Sequence, residues 1–89
     1  MPVIPPPAVK EFPSESIEKK AYNSVSTIPT REPNDQNRLG YHVWRYLTGS
    51  IPTIEEAVRM SGARMSISEE EAVRIVREKL QEQGITLIR

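Results

Sequence analysis

In the second half of the chain, apolar side chains recur at helical spacing. Leu39, Val43, Tyr46 and Leu47 follow the i, i+4, i+7, i+8 pattern of one buried face. That pattern predicts a helix from about Asn34 or Asp35 to Gly49. Thr53-Ile54-Glu55-Glu56 reads as a capping box opening a second helix, which should stop at Gly62, a residue to which left-handed backbone costs little. Ser68-Glu69-Glu70-Glu71 is a second capping box, with Ile67 and Ala72 placed as a hydrophobic staple. The third helix should bury Ala72, Val73, Val76 and Leu80. Gly84 then sits where a Schellman turn would fold Ile85 onto Leu80. Ile85-Thr86-Leu87-Ile88 has strand composition and no hairpin partner, so Ile85 and Leu87 are candidates for a strand edge that another chain could pair.

The first half is punctuated differently. Seven of the eight prolines fall in the first 33 residues, and all four glycines follow them. Proline fixes its own φ, removes a backbone donor and biases the preceding residue toward extended conformations. Residues 1–34 are accordingly expected to form an extended, Pro-rich arm. Ile17, Ala21 and Val25 recur every fourth residue, which allows a short helix over 15–24 capped by Ser14. The expected architecture is mainly α: a helix-turn-helix-like domain of three helices over 35–89, with a short terminal strand and the N-terminal arm. A core of this size is marginal, and a second copy, another protein or the arm would supplement it.

Composition narrows the function classes. The chain has 89 residues, with 12 basic and 12 acidic side chains, so no net charge pulls it toward nucleic acid or a membrane. It has no cysteine, which excludes disulfides and thiolate metal sites and points to the cytoplasm. No apolar run approaches the length needed to cross a bilayer, and the start MPVIPPPAVK does not read as a signal peptide. His42 is the sole histidine, and it falls at the margin of the first helix's buried face, where packing one side of its ring is the simplest role. Glu69, Glu70 and Glu71 point about 100° apart and cannot converge on one cation; they complement the helix dipole, and Glu70 is placed to pair with Arg74. The expectation is no catalytic residue, metal site, cofactor or small-molecule substrate.

A few large apolar side chains remain once each helix is oriented by its core. Tyr41 and Trp44 lie well away from the Leu39-Val43-Tyr46 face, with Arg45 beside them; Met60 and Ile75 are displaced from their own core faces. Aromatic residues and arginine are enriched at interface hot spots, and methionine adapts to irregular surfaces. Tyr41, Trp44, Arg45, Met60 and Ile75 are therefore interface candidates, covered either by a partner or by the arm's own Val3, Ile4, Val9, Phe12 and Ile17. Pro2-Val3-Ile4-Pro5 also has the bare P-x-x-P spacing of proline-rich ligands. The expected function is a non-enzymatic protein-interaction or assembly module, a small accessory subunit of a larger complex or a homo-oligomer.

The order of helices suggests an alternative. The Thr53-Ile54-Glu55-Glu56-Ala57 helix closed by Gly62, followed by a longer helix ending Leu80-Gln81-Glu82-Gln83-Gly84-Ile85, resembles winged helix-turn-helix proteins over residues 37–89. The resemblance implies a DNA-binding transcriptional regulator whose third helix, through Arg74 and Arg77, reads the major groove. Residues 66–89 carry five acidic and four basic side chains, whereas a DNA-reading surface is locally basic.

Overall fold

A computed structural model describes residues 16–87, which form four helices: α1 (Ile17–Ser24), α2 (Pro33–Leu47), α3 (Ile54–Ser61) and α4 (Glu69–Glu82). The local signals at the helix ends work largely as the sequence suggests. Thr53 Oγ1 accepts from the Glu56 backbone N–H at 3.1 Å, and Ser68 Oγ accepts from that of Glu71 at 3.1 Å. The carboxylates of Glu56 and Glu71 turn toward Arg59 and Arg74, one helical step on. α1 is capped by Ser16, whose Oγ accepts from the Lys19 N–H at 3.0 Å, two residues later than the expected Ser14. α2 starts at Pro33, where a missing N–H costs nothing because the first turn has no acceptor for it. At the end of α4, the Ile85 N–H reaches the Leu80 carbonyl at 3.0 Å and the Gly84 N–H that of Gln81 at 3.0 Å, the paired bonds of a Schellman turn.

Each helix packs on its neighbours in sequence, and α4 closes on α1; the backbones of the diagonal pairs α1/α3 and α2/α4 stay apart. The expected three-helix core is thus a ring of four. α1 is a full member because Ala21, with Val25 and Ile28 just after the helix, is buried in one cluster with Leu39, Val43, Tyr46, Ile54, Val58, Val76 and Leu80, while the Tyr22 ring is buried over Gly40. Ile17, expected on the same face, is 42% exposed. The core therefore begins before residue 34, and the rest of the expected extended arm, residues 1–15, lies outside the described residues. No helix among the described residues is long and apolar enough to cross a membrane.

Long-range polar bonds lock this ring. Gln36 Nε2 donates to the carbonyls of Val25 at 2.9 Å, Ser26 at 3.2 Å and Ile28 at 3.3 Å, satisfying acceptors that α1 leaves open at its end. Gln83 ties α4 to α1, donating to the Lys20 carbonyl at 3.0 Å and accepting from Asn23 Nδ2 at 3.2 Å. The loops entering α2 and α4 meet in an isolated antiparallel bridge between Thr30 and Met65, with Arg31 N–H on the Arg64 carbonyl and Ser66 N–H on the Pro29 carbonyl, both at 3.0 Å. That bridge is all the β-structure among the described residues. The terminal strand expected at 85–88 is not formed over its described part: the Schellman turn lays Ile85 and Leu87, both partly buried, against the helical core.

Among the described residues Asp35 is the buried charge. In the first turn of α2 it accepts from Arg38 Nη2, and its other oxygen lies 3.8 Å from Arg64 Nε on the α3–α4 loop. Arg38 Nε in turn donates to the Ser61 carbonyl at the end of α3, at 3.2 Å. Replacing Asp35 with Asn puts an amide N–H₂ where an acceptor faces two cations. Asp35→Asn is expected to cost about 1 kcal/mol in urea unfolding, little altered by salt because the carboxylate is buried.

Candidate interaction site on α2

The outward face of α2 follows from what its other faces do. Leu39, Val43 and Tyr46 point into the core, and Gly40 lies under α1. A Cβ at Gly40 would stand 2.7 Å from Cε1 and 2.9 Å from Cγ of Tyr22, so the absent side chain is what lets the Tyr22 ring lie on α2. Gly40 is thus not a helix stop, as the other glycines are, but a contact point inside a helix.

Three residues apart on the remaining face, Tyr41 and Trp44 come together. Tyr41 is 37% exposed, and Trp44 is partly buried with one side against the core. Their ring centroids are 5.7 Å apart with planes tilted by 38°. His42 adds an edge-to-face contact, its ring centroid 5.5 Å from that of Tyr41. Such separations lie within the range favoured by aromatic pairs. His42 Nδ1 donates to the Arg38 carbonyl at 2.9 Å, which fixes the ring along the helix. Arg45 follows Trp44, partly buried on the same helix.

Tyr22 borders this cluster. Burial above all, and then the nearby Glu18 and Tyr41, push its phenol up from 10.0 to about 12. The folded-state pKa exceeds the unfolded one. Neutral Tyr22 therefore contributes its stability in full below pH 10 and loses it as pH rises through about 12, a contribution of about 2–3 kcal/mol. A tyrosinate absorbance titration is expected to show one late-ionising phenol accompanied by unfolding, and Tyr22→Phe to remove that late step.

The other candidates do not join this cluster. Met60 is 51% exposed on the last turn of α3. Ile75 lies partly buried against the core on α4, which is diagonal to α2 in the ring. The two arginines implied by the helix-turn-helix resemblance are both engaged by carboxylates. Arg74 binds Glu71 and, at 3.0 Å, Glu78, and Arg77 lies 3.3 Å from Glu55 of α3. The expected Glu70–Arg74 pair is replaced by these bonds.

A surface cavity of about 270 Å³ lies between α3 and the start of α4, lined by Glu55, Arg59, Glu69, Glu70 and Val73. Among the described residues no three His, Asp or Glu side chains are grouped so as to hold a metal ion.

Sequence reasoning set Tyr41 and Trp44 off the core face from their angle on the helix, and their rings lie together. It missed Tyr22, Gly40 and Asp35, whose roles depend on contacts across the ring. The one local hint was a glycine in the middle of an otherwise helical repeat, which often marks close packing. No family model, curated protein or solved structure matches the chain.

Proposed function

We propose that this protein is a non-enzymatic protein-interaction module, an accessory subunit working in the cytoplasm, and that it docks through the aromatic face of α2. The observation that carries this reading is the pairing of Tyr41 and Trp44 at 5.7 Å on the outward side of α2, with Tyr41 37% exposed and Trp44 partly buried. Two adjacent aromatics and an arginine on a rigid helix form a compact anchor of the kind that dominates binding energy at protein interfaces. The helix is held from behind by α1 and α3, so the anchor is already ordered before binding and little entropy is lost on docking.

The test is the native size of the protein in extracts of the cells that make it. Wild type is expected to migrate above its 10.1 kDa monomer mass. Tyr41→Ser is expected to migrate as the monomer while keeping the wild-type thermal transition, since Tyr41 lies outside the core. A wild-type protein that migrates as the monomer, or a variant that keeps the larger size, contradicts the reading.

A further inference from the structure

We infer that the partner received by the α2 aromatic face is a second copy of this chain, seated across a two-fold axis that sets Glu18 of each copy against Arg45 of the other. The inference rests on reading Tyr41 and Trp44 as a docking surface, and it names the occupant.

Two charges flank the aromatic pair without a partner. On α3 and α4 every arginine pairs with a carboxylate, and Arg38 of α2 pairs with Asp35. Among the described residues neither Arg45, partly buried and next to Trp44, nor Glu18, partly buried in the first turn of α1, has an ion-pair partner. Lys19 is turned about 100° away from Glu18 around α1.

The fold puts these two charges on opposite sides of the rings. Gln36, near the start of α2, holds the carbonyls of Val25, Ser26 and Ile28 just past the end of α1, and Gly40, one turn later, meets Tyr22. α1 and α2 are therefore antiparallel, and Glu18, one turn before Tyr22, stands at the level of Trp44. Its carboxylate is close enough to help raise the Tyr22 phenol. Around α2, Gly40 faces α1; in one sense from it, Trp44 lies at about 40°, Tyr41 at about 100° and Arg45 at about 140°. The order across the face is thus Glu18, Trp44, Tyr41, Arg45.

A two-fold axis normal to the face reverses that order in the second copy. With the axis at the level of Trp44, the rings of the two copies meet at the centre, and Arg45 of each stands opposite Glu18 of the other. A uniformly acidic partner would satisfy Arg45 and repel Glu18, and a basic one would do the reverse. A surface with one charge of each sign on either side of an apolar centre is complemented by itself, the property that an isologous contact requires. The rings supply the burial, and the charge pairs at the rim fix the register.

In sedimentation equilibrium the purified full-length protein is expected to pass from its 10.1 kDa monomer mass to twice that mass between micromolar and millimolar concentration, and to go no further. Glu18→Arg and Arg45→Glu should each weaken the dimer about tenfold or more, because each sets like charges against one another. Mixed together, the two variants should form a heterodimer of wild-type strength, in which both contacts again join opposite charges. Wild-type protein that stays a monomer over the whole range overturns the inference, whether or not the variants fold, and so does a species that grows beyond the dimer. Variants that dimerise alone as wild type does, or that remain monomers when mixed, overturn the Glu18–Arg45 pairing and with it the two-fold arrangement. A purified monomer beside a larger species in cell extracts would leave the α2 face to a different protein; a monomer in extracts would remove the docking surface itself.

Discussion

A fragment spanning residues 34–89 is expected to be unfolded, although the helical repeat, the two capping serine and threonine residues and the Schellman turn all lie within it. It lacks α1. Tyr22, Val25 and Ile28 are at most 3% exposed in the intact fold, and burying each is worth about 1.5–3 kcal/mol, together about 4.5–9 kcal/mol. Small domains have a total stability of about 5–15 kcal/mol, and a ring this small sits near the lower end. Losing α1 also exposes one side of Leu39, Val43 and Leu80 and removes the partners of Gln36 and Gln83. Far-UV circular dichroism of the fragment should show little helix and no cooperative melt, whereas residues 16–89 should melt cooperatively. A folded 34–89 fragment would mean that three helices suffice.

The second large effect is at Gly40. Alanine is the best helix former and glycine one of the worst, so on propensity alone Gly40→Ala should stabilise α2 by about 1 kcal/mol. The opposite is expected. The added methyl occupies the space of the Tyr22 ring, whose Cε1 and Cγ would be within 3 Å of it, so the ring must leave its site or α1 must move away from α2. Either response forfeits most of the burial of Tyr22, and the net loss is about 2 kcal/mol, or about 10 °C in Tm for a domain of this size. In a double-mutant cycle, Tyr22→Ala should cost much less in the Gly40→Ala background than in wild type, because the contact it removes is already gone. Additive costs would show that the two residues act independently.

These two positions show what the sequence carried and what it did not. Helix ends were legible because their chemistry is local: Thr53 and Ser68 cap residues three positions away, and Gly84 turns the chain back onto Leu80. The core face of α2 was legible because a single helix defines it. The status of α1 was not. Its apolar repeat is short, its surroundings are rich in proline, and what makes it a core helix is the fit of Tyr22 on Gly40 and the grip of Gln83 on Lys20 and Asn23, some 60 residues away. The strand expected at Ile85 failed for a related reason: β-branched composition suits a sheet edge, but the Schellman turn and an apolar core within reach offered those side chains burial without a partner strand.

The same distinction applies to the surface. The angle of Tyr41 and Trp44 on their helix set them off its core face; the structure places their rings together, with Trp44 still packed partly against the core. Ile75, equally displaced on paper, also packs partly against the core, on a helix that has both α3 and α1 beside it. A helical projection finds residues that point away from one face; it does not find a neighbour that the chain supplies from elsewhere.

The role of the α2 face is most directly measured with a photo-crosslinking amino acid placed at Tyr41 in the full-length protein and irradiated in the cells that make it, beside the same substitution at Glu78 on the exposed side of α4. The expected result is a covalent species larger than the chain from position 41 and none from position 78. A larger species from position 78 with none from position 41 would contradict the assignment and move the interaction surface to the other side of the ring.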